Sequence, residues 1–203
     1  HLLVEDFMLL ANKEVASFVS AQVKNESGQF VYRIHDLPDS DRLVELADYL
    51  APLGYHLKLK DGRIDSGDLN KFLESIKGKP EEYLIQTAAV RTMAKAVYSM
   101  NNIGHYGLAF THYTHFTSPI RRYPDVMVHR LLDLYLKKET PQSSMLTDYA
   151  EMCIYGSRME TEASEAERES IKYKQVEYLE GSVGKIFKAT ISGIAKWGID
   201  VAE

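Results

Sequence analysis

Apolar residues recur every three to four positions along most of the chain and give way to alternation only near the end, so the pattern predicts a mostly helical α+β protein. Leu3, Phe7, Leu10, Ala11, Val15 and Phe18 share one face of a helix predicted over 2–19, with Glu5 and Asp6 in its first turn, where negative charge complements the helix dipole. Asn25-Glu26-Ser27-Gly28 reads as a turn and 30–34 as a short strand. Pro38 and Asp39 introduce a helix over 41–51 with Leu43, Leu46, Ala47 and Leu50 inward, and Gly54 stops it. Residues 55–67 read as loop, and 68–77 as a helix burying Leu69, Phe72, Leu73 and Ile76. Pro80 opens a helix predicted to reach Ser99, with Leu84, Ala88, Val90, Ala94 and Val97 buried. Residues 104–112, carrying Gly107-Leu108-Ala109-Phe110, read as a strand. After Tyr123 comes a helix facing inward with Met127, Leu131, Leu134 and Tyr135, then one long helix from Ser143 to about Leu179. Alternation over 183–192, a turn at Gly193 and a strand from Trp197 mark a change of architecture near Glu180, giving expected domains of 1–180 and 181–203.

The densest stretch chemically is His115-Phe116-Thr117-Ser118-Pro119-Ile120-Arg121-Arg122-Tyr123-Pro124-Asp125. A hydroxyl at Thr117 or Ser118 suits an N-cap, and Pro119 suits the first helical position, where a missing N–H costs nothing. That arrangement would aim free backbone N–H donors outward beside Arg121 and Arg122, side chains suited to gripping phosphate through paired hydrogen bonds, and so predicts an anion site. The same letters also open ordinary surface helices whose arginines serve structural ion pairs, as they would in a purely helical interaction domain.

Charge narrows the picture. Twenty-four basic residues against 29 acidic give a net charge of -5, so nucleic acid would have to be met by a local concentration of cations. The lone Cys153 has no partner for an internal disulfide, which points to a reducing, cytoplasmic setting, and no apolar run is long enough to span a bilayer. Cys153 sits mid-helix with no base nearby in sequence, arguing against a nucleophile. His112 and His115 have a spacing open to a metal pair or to structural histidines, and Asp36, Asp39 and Asp41 read as helix-start residues. Glutamates crowd the long helix, as on a solvated face; Glu167 shares a stripe with Ile171, which leaves open an inward setting towards a cation such as an arginine. The chain opens inside a helical pattern and closes at Val201-Ala202-Glu203 within a strand pattern, so it reads as a piece of something longer.

The residues now support a resemblance. His1-Leu2-Leu3-Val4-Glu5-Asp6-Phe7-Met8-Leu9-Leu10-Ala11-Asn12 is similar to a helix in the second half of the RNB catalytic domain. His105-Tyr106-Gly107-Leu108-Ala109 with residues 115–125 resembles that domain's signature, and Glu165-Ala166-Glu167-Arg168-Glu169 resembles its late acidic helix. From Gly181 the chain is similar to the first strands of an OB-fold RNA-binding module. The pattern lies closer to the bacterial ribonuclease R branch of this exoribonuclease family than to the ribonuclease II branch. The resemblance implies a processive 3′→5′ exoribonuclease that takes single-stranded RNA, releases nucleoside 5′-monophosphates and works as a monomer. It also implies Mg²⁺ held by aspartates that no cluster in this sequence supplies. By position, Arg121 matches the arginine at the scissile phosphate and Glu167 the late-helix glutamate of the active site. Glu5 matches an acid near the 3′-terminal nucleotide; Thr117 and Ser118 are taken as RNA contacts, and Arg122 as a second contact or an ion-pair partner. Trp197 is a stacking platform or a rim tryptophan; Ala189 replaces a common glycine, and Asp200 stands where an aromatic often stacks. The alternative function is a non-catalytic RNB relative that binds RNA and regulates it.

Overall fold

The computed structural model describes residues 1–23, 28–188, 190–195 and 198–202, which divide into two units, 1–159 and 160–203. Asn25, Glu26 and Ser27 of the expected turn, Ala189 and Trp197 lie outside the described residues.

In the first unit helices form where the periodicity places them, although Leu3, Phe7, Leu10 and Phe18 of the apolar face read for the first helix are exposed. Helix α1 (Leu2–Gln22) buries Asn12, Ala16 and Val19. Helix α2 (Ser40–Leu50) is capped by the Asp39 carboxylate, which accepts from the Asp41 and Arg42 N–H groups, and it buries Leu43, Leu46 and Leu50. Helix α3 (Ser66–Ser75) is capped by Asp65. Helix α4 (Glu82–Thr92) buries Ile85, Ala89 and Thr92. Strands β1 (Tyr32–Ile34) and β2 (Val97–Ser99) pair antiparallel with Arg33 opposite Tyr98. Helices α5 (Tyr123–Leu136) and α6 (Ser143–Leu179) follow.

One core joins α1, the two strands, α5 and the start of α6 through Ala16, Val19, Phe30, Tyr32, Met127 and Leu131. Smaller cores under α2, α3 and α4 gather around Leu50, Ile76 and Ile85 and around Leu43, Ile64 and Leu69. Gly156 of α6 lies where an added Cβ would sit 3.4 Å from Pro124, so the absence of a side chain lets α6 pass close over the start of α5.

Two expectations fail here. The helix predicted over 80–99 starts at Glu82 and stops at Thr92; Val90 and Val97, expected inside, are exposed. Met93 turns into extended backbone, and Val97-Tyr98-Ser99 instead joins the edge of β1, where a β-branched and an aromatic residue fit a pleated surface. The strand predicted over 104–112 is a 3₁₀ turn at Tyr106–Leu108 followed by Ala109 at φ 56°. It is held by the His105 Nδ1 atom, which accepts from the Leu108 N–H, and by His35 Nδ1, which accepts from the Gly107 N–H at 3.0 Å. A Cβ at Gly107 would come within 2.8 Å of that His35 nitrogen, so the close approach requires glycine.

The second unit holds the remainder of α6 and an antiparallel pair, β3 (Thr190–Ala195) and β4 (Gly198–Ala202), with a bulge between Ile191 and Gly193. Among the described residues no helix is long and apolar enough to cross a membrane.

Leu131 is 0% exposed and Leu136, five residues on and turned away from it, is 61% exposed. Leu131→Ala is expected to cost about 2–5 kcal/mol in urea denaturation, and Leu136→Ala less than about 0.5 kcal/mol. Equal costs would show that the core does not run under this face of α5.

Candidate nucleic-acid interface

The motif is an extended segment followed by a locked turn. Arg33 N–H donates to the Tyr113 carbonyl at 2.9 Å, and the Thr114 hydroxyl to the Val31 carbonyl at 2.7 Å, which lays the segment along β1. Asn12, buried on α1, takes the Phe116 N–H at 2.9 Å and gives its amide to the Tyr113 hydroxyl at 3.1 Å. His129 of α5 stacks on Phe116 with ring centres 4.2 Å apart and hydrogen-bonds the Phe116 carbonyl through Nε2. Three elements therefore hold the approach to the turn.

The turn corrects the expected helix start. Neither Thr117 nor Ser118 caps a helix, and Pro119 is not its first residue. The N–H groups of Arg121 and Arg122 both return to the Ser118 carbonyl, and α5 begins only at Tyr123 with Pro124 in its first turn. Arg122 precedes it in extended conformation, at φ -128° and ψ 113°. The Asp125 carboxylate, in the first turn of α5, takes the Ser118 N–H at 2.8 Å and closes the turn. The backbone donors expected to face an anion at Ser118, Arg121 and Arg122 are thus spent inside the turn.

Asp125 also sorts the two arginines. Arg122 donates from Nε and Nη2 to the two Asp125 oxygens, both at 2.9 Å, with side chains 18% and 0% exposed. This is the bidentate pair that a buried carboxylate requires. Arg121 is exposed, and its guanidinium makes no hydrogen bond or ion pair among the described residues. The fork beside it is committed to structure, and the Arg121 guanidinium is left exposed.

The surroundings are positive. Arg33 lies 4.6 Å over the Tyr98 ring, and the Tyr98 hydroxyl is 2.8 Å from His115 Nδ1. Burial, then Arg122, Arg33, His105 and Arg121, push the His115 pKa down to about 3. Burial, then His35 and Arg33, bring His105 down to about 4. Both rings are neutral at physiological pH.

The remaining expected residues are dispersed. Glu5 is exposed in the first turn of α1, about two turns before Asn12. Ser118 and Thr117 are half-buried, and the Thr117 hydroxyl is enclosed without a hydrogen-bond partner among the described residues. Glu167 belongs to the second unit and is exposed there, as is Ile171, in keeping with the solvated face rather than the inward setting. His112 bonds Ser20 at 2.9 Å rather than joining His115 as a ligand pair. Burial pushes the Cys153 thiol up to about 12, which removes it as a nucleophile. Among the described residues no group of three His, Cys, Asp or Glu side chains could hold a metal ion, so these residues do not fit the implied Mg²⁺. Sequence reading missed Arg33, Asn12, Tyr98 and the role of Asp125. For Asp125 a signal existed, since Arg and Asp three apart at a helix start are placed to pair.

The depressed His115 sets a pH dependence. Its ordinary value of 6.5 in the unfolded chain falls to about 3 when folded, so its contribution is complete above pH 6.5 and is lost as pH drops towards 3. The thermal midpoint should fall on acidification through this window, and His115→Gln should flatten the fall. Parallel curves for the two proteins would contradict a neutral buried His115.

Residues 1–138 match the family model described as the RNB domain. Ribonuclease R of Thermotoga maritima is 41% identical over 208 aligned residues, covering 98% of this chain and 28% of that protein. A solved structure of Mycoplasma genitalium RNase R in complex with ribose-methylated single-stranded RNA superposes with a TM-score of 0.88 at 28% identity, covering 98% of this chain and 31% of that one. A yeast pseudonuclease shares the fold at a TM-score of 0.65 and 23% identity over 76% of this chain and 19% of its own. The chain spans less than a third of the length of these proteins. The match over 1–138, with the turn that carries it now described, shows that this chain belongs to the RNB family, whose members include ribonuclease R.

Proposed function

We propose that this chain carries the phosphate-gripping arginine of a 3′→5′ exoribonuclease that hydrolyses single-stranded RNA to nucleoside 5′-monophosphates. The observation that carries the reading is the division of labour in the turn: Asp125 consumes Arg122, and Arg121 stands exposed on the rigid support that results. A planar cation held in one place suits the charge that builds on a phosphate during hydrolysis, because it needs no reorganisation at that moment. Arg33 and Arg122 reinforce the field, as the low pKa of His115 reports. His115, being neutral, adds no competing positive site and leaves the phosphate to Arg121.

The other roles are carried over by position from the family resemblance. Glu167 is assigned to the active site, and Glu5 to the 3′-terminal nucleotide, where a carboxylate meets hydroxyls more readily than phosphate. Thr117, Ser118 and Trp197 are assigned as RNA contacts, and Arg122 supports from behind. In this reading residues 1–180 belong to the catalytic domain, and β3 with β4 begins an OB-type module at 181–203. The protein works in the cytoplasm as a monomer on single-stranded RNA. Mg²⁺ is assigned to residues of a longer polypeptide, and no step here depends on how it is held.

The test is Mg²⁺-dependent digestion of 3′-labelled single-stranded RNA by the full-length polypeptide. Wild type should release labelled mononucleotide from the start, and Arg121→Ala should lose about 10²–10³-fold in rate, the cost of removing one preorganised charge partner. Arg121→Lys should recover little, because an ammonium cannot reproduce the paired donors. If wild type binds RNA and never cuts it, the regulatory relative is the correct reading.

A further inference from the structure

We propose that a cationic cleft in the first unit, built around Lys58, Lys60 and Arg63, is a second binding site for the phosphodiester backbone of RNA; this rests on the reading that the protein takes RNA. The cleft has a volume of about 710 Å³ and lies between residues 56–66, the start of α3 and Tyr106. None of its cations belongs to the motif at 115–125.

Its geometry comes from a hairpin that the chain pattern conceals. Lys60 and Arg63 exchange backbone hydrogen bonds of 2.8 and 3.0 Å across Asp61-Gly62, whose φ values are 50° and 72°. Positive φ at both central residues is the two-residue turn that Asp-Gly favours, and directly paired residues project from the same face. Lys58 joins them two residues earlier, because Leu57 and Leu59 pack into the small cores while Lys58 and Lys60 stay exposed. Three cations are thereby fixed on one side of a rigid turn.

Two acids also line the cleft, each with a local partner. The Asp65 carboxylate accepts from the Gly67 N–H at 2.8 Å as the cap of α3, and Asp68 pairs with Lys71 at 3.5 Å. Lys58, Lys60 and Arg63 have no hydrogen-bond or ion-pair partner for their side chains among the described residues. The start of α3 adds its positive dipole end at Ser66. In a chain of net charge -5, a lining of four basic residues against two acids is a local positive excess that suits a polyanion. An extended cleft with cations spaced along a strand fits a chain of phosphates better than a single one.

Tyr106 links the cleft to the motif. Its hydroxyl donates to the Ile64 carbonyl at 3.0 Å, while its N–H donates to the His35 carbonyl beside His105. RNA held in the cleft would therefore rest on the same 3₁₀ turn that leads into the arginine site.

The experiment measures binding of the 203-residue chain to a fluorescent single-stranded RNA across a salt series, for wild type, Lys58→Gln/Lys60→Gln/Arg63→Gln and Arg121→Ala. The triple variant should bind about tenfold or more weakly, and its slope of log affinity against log salt should flatten by about two, at ~0.7 per phosphate contact removed from a single strand. All three side chains are exposed, so its thermal midpoint should match wild type. If wild type and Arg121→Ala differ while the triple variant binds as wild type does, the cleft proposal is overturned and the arginine reading stands. If only the triple variant weakens, the cleft is supported, and the role of Arg121 in hydrolysis is read from the rate of RNA digestion instead. Absence of RNA binding by wild type overturns both. Equal competition by polyglutamate of matched charge overturns the proposal in favour of an acidic-peptide site.

Discussion

A carboxylate with no exposure to water is unstable as an ion unless its charge is met by donors in good geometry. Asp125 is such a group, and much of the candidate site follows from its requirement. It takes the Ser118 N–H and both faces of the Arg122 fork, and in doing so closes the turn from Ser118 to Arg122 against the first turn of α5. Because Arg122 must turn inward, its neighbour is left outside. Two adjacent arginines of the same chemistry thus take opposite settings, one paired with a buried carboxylate and the other exposed.

That arrangement is supported from beneath by packing. Met127, Val128 and Leu131 sink α5 into the main core, so the helix carrying Asp125 cannot rotate without exposing them. The segment before the turn is tied to β1, α1 and α5 by hydrogen bonds from Thr114, Asn12 and His129. The polar ties and the apolar core use the same elements. The site therefore inherits the rigidity of the fold rather than depending on a mobile loop.

How far the sequence revealed this depends on whether a feature is local. Helix α2 was legible because Leu43, Leu46 and Leu50 repeat at helical spacing behind an Asp cap. Helix α6 was legible because nothing breaks it. The end of α4 was not, since Ala94 and Val97 continue a helical pattern and only pairing with β1, remote in sequence, recruits Val97 to a strand. The 3₁₀ turn at Tyr106 was hidden for the same reason: His35, far away in the chain, fills the space beside Gly107. Within the site, Arg121 was legible from its motif. The meeting of Arg33 and Tyr98 with His115 was not, because each comes from a different element. The Asp61-Gly62 hairpin was a local signal, but the short flanks around it carry too few apolar residues to stand out as strands.

The most direct measurement compares the unfolding free energies of Arg121→Ala and Arg122→Ala in the same denaturant series. Removing Arg122 leaves Asp125 buried without its partner and should cost about 3–5 kcal/mol. Removing exposed Arg121 should change stability by less than about 0.5 kcal/mol. Equal costs, or a larger cost at Arg121, would contradict the division of roles on which the account of this site is built.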